Sequence, residues 1–325
     1  MLKLLQISDI HPNSNATFAG KTLIDAATGK NQSLSDLNRS LEFTFRAATD
    51  CDAVIIPGDV FDSVKPTMDE VQVILGWLEA VASEMPVVII PGNHDMAVSP
   101  NMATALEPLK WRSNVFVLEK PGSVLLELNG QHVRIHGLPY PMKGRLLAQE
   151  GFGEKSPEEI TAVINQGLAA ILRSFRTEFE PSVPNVLLAH GSVANCLVGD
   201  QPRSLAHDIL IPLEELHGFD YCALGHIHQN QQIADNTWYS GSLMRNGFGE
   251  ERERKGFNLV EITAGKAPKV TFVENPPARW MPLLQTDPSI ETNARHDDII
   301  DVGVTRQVRP CARHHAASQQ VVAAF

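Results

Sequence analysis

Short apolar runs recur along the first 230 residues, and five of them end at a group of polar side chains. Runs of this length, bounded by turn residues, predict buried β-strands. The five runs are Leu2–Ile7, Ala53–Ile56, Val87–Ile90, Val186–Ala189 and Tyr221–Leu224. Because the polar residues follow the strands, we expect them to gather at one edge of a sheet, where open α/β folds place their active sites.

The apolar residues between the first strands have helical spacing. They recur every four positions from Leu37 to Phe45, and either Ser35 or Asp36 is expected to cap this helix. Residues 67–82 predict a second helix. Strands that alternate with helices indicate βαβ units and a largely parallel sheet.

After residue 114 the pattern changes to closely spaced strands. Asn129 and Gly130 predict a tight hairpin turn between two of them, and residues 157–175 predict a long helix. Strands are predicted at Val115–Leu118, Ser123–Leu128, His132–His136, Gln231–Ala234, Thr237–Ser240, Phe257–Ile262 and Lys269–Val273. An α/β fold with two mixed sheets packed face to face, and with helices outside, accommodates this order.

Composition is that of a soluble globular protein, with 43% hydrophobic and 20% charged residues. No apolar run approaches the roughly 18–20 residues of a membrane span, so we expect no membrane association. None of the four cysteines belongs to a CxxC pair, which favours free thiols and a cytoplasmic protein. The net charge of −11 weakens a nucleic-acid-binding hypothesis, although bound divalent ions would make the local field attractive to phosphate.

A domain boundary is predicted at residue 275. Residues 1–275 include every strand that ends in polar groups and are predicted to form the catalytic domain. Residues 276–325 begin with two prolines and are predicted to be a partial cap subdomain with a flexible tail. Two further strands are predicted there, at Trp280–Leu284 and Asp298–Val304.

The polar groups at the strand ends have the composition of a two-metal site. Residues i and i+2 of a strand share a face, so Asp9 can act with His11, and His226 with His228. Carboxylate oxygen together with imidazole nitrogen suits Mn, Fe, Zn or Co better than Mg or Ca. The candidate ligands are Asp9, His11, Asp59, Asn93, His190, His226 and His228. This set is typical of two-metal phosphoester hydrolases.

The same motifs resemble those of the calcineurin-like metallophosphoesterases, which have D-x-H, G-D-x-x-D, G-N-H-[DE], H and G-H-x-H in this order. Here the motifs are Asp9/His11, Asp59/Asp62, Asn93/His94/Asp95, His190 and His226/His228. The resemblance implies a four-layer α-β-β-α sandwich with a dinuclear centre at one edge. A narrower resemblance, to SbcD-type DNA repair exonucleases, is carried by residues 58–62, 92–95, 137–140, 239–243, 248–250 and 255–257.

This resemblance also implies a role for each site residue. One metal would be held by Asp9, His11, Asp59 and His228, and the other by Asp59, Asn93, His190 and His226. Two ions, most often Mn²⁺, would activate a hydroxide for attack on phosphorus. His94 would protonate the leaving oxygen, and Asp95 and Asp62 would orient histidines.

The function implied is that of a DNA exonuclease or endonuclease in repair or recombination. An SbcC-type SMC-like ATPase and a second copy of the chain are the implied partners, although the 50 residues beyond position 275 leave room for only part of a cap and an ATPase-binding segment. A phosphodiesterase or phosphatase for small nucleotides is the alternative within the superfamily. A scaffold protein without chemistry is a third.

Basic residues between positions 245 and 255 are candidate contacts for DNA phosphates. They are Arg245, Arg252, Arg254 and Lys255. The run from residue 250 to 255 has mixed charge, so a solvated hairpin tip is the other interpretation of the same residues.

Overall fold

The structure is a computed structural model, which describes residues 1–17, 21–97, 99, 102–142, 156–198, 201–202, 209–250 and 252–275. Its helices are α1 (Gln32–Ala47), α2 (Met68–Glu84) and α3 (Pro157–Arg176). Short 3₁₀ helices cover Ala48–Asp50, Glu107–Leu109, Leu213–Leu216 and Phe248–Glu250. The predicted strands at 280–284 and 298–304, and the predicted extension 276–325, lie outside the described residues.

The first large sheet has six strands. They are β1 (Leu2–Gln6), β2 (Ala53–Pro57), β3 (Val87–Ile90), β4 (Val115–Val117), β15 (Gly256–Ile262) and β16 (Lys269–Glu274). Their order across the sheet is β16-β15-β1-β2-β3-β4. Strands β1 to β4 run parallel, whereas β15 and β16 are antiparallel to their neighbours.

The second large sheet also has six strands. They are β5 (Gly122–Leu128), β6 (Gln131–Leu138), β7 (Asn185–His190), β12 (Tyr221–Gly225), β13 (Gln231–Ala234) and β14 (Thr237–Tyr239), in the order β13-β14-β12-β7-β6-β5. Strands β6, β7, β12 and β14 are parallel, and the two edge strands are antiparallel to them. Two small pairs are formed by β8 (Ser192–Val193) with β11 (Leu210–Ile211), and by β9 (Leu197–Val198) with β10 (Gln201–Pro202).

Alternate residues of the first sheet belong to different hydrophobic clusters. Leu5 packs in a cluster with residues of α1 and α2, whereas Leu4 packs in a cluster that includes Val133 and Val186 of the second sheet. The outer face of the second sheet packs against α3, with Leu187 among the contacts. The period-2 alternation of a strand therefore buries both faces of the first sheet.

The start of α1 differs from the prediction. Asn31, and not Ser35 or Asp36, caps the helix, and its side chain accepts a hydrogen bond from the amide of Ser33. Ser35 and Asp36 are buried within the helix. The helix therefore begins at Gln32, one turn earlier than predicted.

The predicted α/β class with two mixed sheets is confirmed. The Asn129–Gly130 turn is present between β5 and β6, with φ values of 51° and 74° that suit a type I′ hairpin. In the part of the chain that is described, no helix combines the length and the apolar character needed to cross a lipid bilayer.

Candidate metal centre

Each candidate ligand lies at or just beyond the carboxyl end of a parallel strand. Strands β1, β2 and β3 of the first sheet precede Asp9, Asp59 and Asn93, and β7 and β12 of the second lead to His190 and His226. The two sheets meet at this edge, because the ring of His190 in β7 reaches the end of β2. The sequence therefore brings ligands that are distant along the chain to one place.

The backbone turns sharply at four of these positions. Asp9, His11, Asp59 and His226 have φ values of 50°, 46°, 52° and 99°. Asp, Asn and His tolerate this left-handed region better than most residues with a side chain. The turn ends each strand and directs the polar side chain into the centre.

Close packing of the backbone explains the glycine beside Asn93. A Cβ atom at Gly92 would overlap with Oδ1 of Asp59. Glycine at this position therefore lets the loop after β3 approach the carboxylate that follows β2.

Asp9, His11 and His228 form the first ligand group, in which one donor atom from each lies within 4.8 Å of the others. Nε2 of His228 is 4.0 Å from Oδ1 of Asp9. Nε2 of His11 is buried, and it has no hydrogen-bond partner among the residues described. Since a buried polar nitrogen is costly without a partner, this donor set fits a divalent cation.

Asp59, His190 and His226 form the second ligand group, again with donor atoms within 4.8 Å of one another. Nδ1 of His190 donates to the carbonyl oxygen of Pro57 at 2.8 Å, which leaves Nε2 facing Asp59 Oδ2 at 3.3 Å. Burial lowers the pKa of His190, but the charge and hydrogen bond of Asp59, the charge of Asp9 and the hydrogen bond to Pro57 together raise it to about 9.

Asn93 completes the second group. Its Oδ1 lies 2.9 Å from Nδ1 of His226 and 3.1 Å from Nε2 of His190. A neutral amide oxygen between two imidazoles could supply a further oxygen ligand to an ion without adding charge.

Asp59 lies between the two groups. Its Oδ2 is 3.3 Å from Nε2 of His190 in the second group and 3.6 Å from Nε2 of His11 in the first. Oδ1 accepts a hydrogen bond from the amide of His94 at 2.9 Å, which fixes the carboxylate plane. One carboxylate within reach of both groups is the arrangement needed to bridge two cations about 3.5–4 Å apart.

Comparison with known proteins agrees with this geometry. A family model described as calcineurin-like phosphoesterase matches residues 2–230. The chain belongs to this family. Its members hydrolyse phosphoester bonds with divalent metal ions, and the predicted family is confirmed.

Two curated relatives resemble this chain over most of its length. The SbcD subunit of the SbcCD nuclease of Staphylococcus epidermidis is 24% identical over 246 residues, which are 73% of this chain and 62% of the relative. The protein of the same name from Staphylococcus saprophyticus is 25% identical over 243 residues, or 72% of this chain and 61% of the relative. The chain thus spans about six tenths of the length of these two relatives.

His94 is beside the centre and outside these two groups, although one of its ring nitrogens lies within 4.8 Å of donor atoms of His11 and Asp62. Its Nδ1 donates to the backbone oxygen of Asp62 at 2.9 Å and lies 3.8 Å from that residue's carboxylate. Both side chains are nearly half exposed. The ring is thus fixed through one of its two nitrogens.

Asp62 lies beside His11, with 3.4 Å between its Oδ1 and Nδ1 of that ring. The neighbouring imidazole of His11 lowers the pKa of Asp62. Its carboxylate is therefore ionised next to both His11 and His94.

Asp95 has a different role from the predicted orientation of a histidine. It is fully buried and accepts hydrogen bonds from the backbone amides of Val60, Phe61 and Gly92 at 2.9–3.1 Å. Burial, and next the charge of Asp59, raise its pKa to about 6. Asp95 joins the loop after β2 to the loop after β3, so it positions backbone and not imidazole.

The predicted phosphate contacts divide into two kinds. Lys255 is 1% exposed, with its ammonium between Glu250 and Glu253. This corrects its predicted role, because a buried and paired ammonium cannot reach a phosphate at the surface. Arg252 and Arg254 are exposed.

Arg245 and Arg254 already have protein partners. Arg245 donates to the backbone oxygens of Glu250 and Glu253 at 3.2 and 2.9 Å. Arg254 pairs with Glu274 at 3.1 Å and lies over the ring of Phe272. An exposed ion pair of this kind is weak and can exchange partners.

Two neighbours of the ligands received no role in the prediction. Oε1 of Glu250 accepts from Nδ1 of His228 at 2.6 Å, and the ring of Tyr140 lies 5.7 Å from that of His226. Both residues belong to the segments that resemble the SbcD-type nucleases, which was the one available signal. Spacing could not reveal these contacts, because Glu250 lies 22 residues from His228.

Proposed function

We propose that this phosphoesterase is a nuclease that cleaves phosphodiester bonds of DNA, with Mn²⁺ as its preferred ion. The observation that carries the proposal is the position of Asp59, whose carboxylate lies within 3.6 Å of donor nitrogens in both ligand groups. The choice of DNA is supported by the two relatives, which are both named as nucleases.

The ligands divide between two ions as the two groups suggest. One site would use Asp9, His11, Asp59 and His228, and the other Asp59, Asn93, His190 and His226. Ions held there supply Lewis acidity and lower the pKa of bound water toward neutrality. The protein's own part is to fix these donors before substrate arrives, since the backbone turns and buried hydrogen bonds already hold them.

His94 acts as the general acid in this proposal. The hydrogen bond from its Nδ1 to the backbone of Asp62 fixes the ring, and Nε2 carries the proton that the leaving oxygen needs. Such a group typically contributes about 10²–10⁴-fold to the rate.

Arg252 and Arg254 are the proposed contacts for DNA phosphates, because both are exposed. Each phosphate contact adds about 0.9 to the slope of log affinity against log salt concentration. The double variant Arg252→Gln/Arg254→Gln should therefore bind duplex DNA with a slope lower by about 1–2. An unchanged slope would remove both residues from the interface.

The name of the relatives also supports a partner. Both belong to an SbcCD nuclease, so an SbcC-type ATPase and work in DNA repair are part of the proposal, as is a homodimer. Co-purification of the chain with such an ATPase tests the partnership.

A phosphodiesterase for small nucleotides is the second candidate. The net charge of −11 favours it, since a chain that binds long DNA usually has a basic surface. A scaffold without chemistry is disfavoured, because every predicted ligand is present and the described structure brings them together.

End-labelled linear duplex DNA and a chromogenic phosphodiester separate these candidates. With Mn²⁺ the chain should degrade both, and EDTA should stop both reactions. If the chain cleaves the chromogenic substrate and small nucleotides but leaves the duplex DNA uncleaved, the second candidate is favoured. No hydrolysis of any phosphodiester, with ions bound, would contradict both.

His94→Ala tests the proposed acid in the same assays. The variant should keep both ions and lose about 10²–10⁴-fold in turnover. A chromogenic diester with a good leaving group needs less protonation, so its loss should be smaller than the loss on DNA. Wild-type rates on both substrates would show that His94 is not the acid.

A further inference from the structure

A buried lysine lies behind the first ligand group. The side chain of Lys255 is fully buried. Its Nζ lies 2.8 Å from Glu250 Oε2 and 2.7 Å from Glu253 Oε2, and it donates to the backbone oxygen of His228 and to Ser242 Oγ, both at 3.0 Å. A buried ammonium with four oxygen partners is fully satisfied, and removal of one acidic partner leaves charge uncompensated.

Glu250 connects this lysine to the metal centre. One of its carboxylate oxygens faces Lys255, and the other accepts from Nδ1 of His228 at 2.6 Å. Because Nδ1 carries the proton, Nε2 of the same ring has the lone pair that can bind an ion. Nε2 is also the nitrogen that faces Asp9. Hydrogen bonding at one nitrogen thus determines which nitrogen can bind an ion.

The loop around Glu250 is held in place by further contacts. The amide of Asn246 donates to Glu250 Oε2 at 2.9 Å. Arg245 donates to the backbone oxygens of Glu250 and Glu253. The carboxylate is therefore fixed through its own backbone, through a neighbouring amide and through the buried lysine.

We propose that Glu250 is a positioning residue for the first ion site, which holds His228 with Nδ1 protonated and Nε2 directed toward Asp9, and that Lys255 holds Glu250 in that position. The inference rests on the proposed two-metal site. It gives Lys255 a role inside the protein in place of a contact with DNA.

The consequence is a selective loss of ion affinity. Without the carboxylate, His228 can rotate or change tautomer, so the site must order the ring when it binds. Replacement of a hydrogen-bond partner of this kind typically costs 10–100-fold in metal affinity or activity. Glu250 bonds to His228 of the first group, so the second site, with Asp59, Asn93, His190 and His226, should keep its affinity.

Titration of the metal-free full chain with Mn²⁺ in a calorimeter, without substrate, tests the inference. Glu250→Gln keeps the size of the side chain, but its single amide oxygen cannot accept from both His228 and Lys255. The variant should therefore bind one of two ions about 10–100-fold more weakly while the other is unchanged. Glu253→Gln is the matched control. It removes the same charge beside the same lysine but leaves Glu250 in place to accept from His228. The loss of ion affinity in Glu253→Gln should be several-fold smaller than the loss in Glu250→Gln.

Measurements on the metal-free proteins separate positioning from a purely structural role. If Glu250→Gln lowers the melting temperature but binds both ions as the wild type does, the inference is overturned. Equal weakening by Glu253→Gln and Glu250→Gln would also overturn it, since the loss would then follow from the lysine's environment. Because no substrate is present, weaker binding supports the inference even if the chain cleaves no DNA, and unchanged binding refutes it even if the chain does.

Discussion

Removal of the Asp95 carboxylate should loosen the loops that carry Asp59 and Asn93, although Asp95 belongs to neither ligand group. The side chain accepts three hydrogen bonds from backbone amides, of which Val60 and Gly92 donate to Oδ2. These amides belong to two different loops, so one buried carboxylate joins both.

The magnitude follows from the donors left without an acceptor. A buried amide that loses its partner costs about 1–3 kcal/mol. Asp95→Asn keeps one oxygen and leaves at least one amide facing an NH₂ group, which predicts a loss of at least about 1 kcal/mol. Asp95→Ala leaves three amides, which predicts at least about 3 kcal/mol and a fall in melting temperature of roughly 6 °C or more.

Thermal and urea unfolding in EDTA measures this without any contribution from bound ions. Asp69→Asn, the same chemical change at an exposed position in the first turn of α2, should alter stability by no more than about 0.5 kcal/mol. With Mn²⁺ added, Asp95→Ala should also bind ions more weakly, because both loops carry ligands. An Asp95→Ala variant that melts at the wild-type temperature and binds ions equally well would show that Asp95 does not hold the two loops.

Three further predictions concern the centre and the core. Asp59→Ala should abolish the binding of both ions and hydrolysis together, which elemental analysis and a diester assay can check; one ion retained at wild-type affinity would refute the bridging role. Gly92→Ala should lower ion affinity, because its Cβ overlaps with Asp59 Oδ1; unchanged calorimetry would contradict the close approach. Burial lowers the pKa of His136 to about 4, where it is bonded to Ser123 and Asn185. Neutral His136 contributes its full share of the free energy of unfolding above about pH 6.5. About 3 kcal/mol of that free energy should be lost as the pH falls from about 6.5 through about 4, because the unfolded chain then binds a proton that the folded chain does not. Urea unfolding from pH 7 to 4 should show a shallower pH dependence for His136→Gln, and identical slopes would refute this.

The convergence of the candidate ligands was predictable, because each of these residues belongs to a local sequence pattern. A short apolar run followed by Asp, Asn or His predicts both where a strand ends and which metal-ligand side chain follows it. The convergence of strand ends at one sheet edge then needs no knowledge of the loops. For this reason the sequence could place Asp9 and His190 in one centre although 181 positions separate them.

What could not be predicted depends on contacts between distant segments. Glu250 and Lys255 lie in a run of mixed charge that looks like a solvated turn, since acidic and basic residues alternate with no apolar period. Only the fold shows that Lys255 points inward and Glu250 toward His228. Asn31 was overlooked for a related reason, because several polar residues near the start of α1 could serve as a cap.

The backbone is left-handed at four candidate ligands, namely Asp9, His11, Asp59 and His226. Such conformations cost about 1–3 kcal/mol each and persist only where surrounding contacts over-determine them. Those contacts are present. The amide of Asp9 donates to the carbonyl of Gly58 at 3.2 Å, and the amide of His226 donates to Oδ1 of Asp9 at 2.9 Å. Strain at one ligand is thus balanced by hydrogen bonds to the loop of another, so the donors are fixed by one another before any ion binds, and ion binding needs little rearrangement of the backbone.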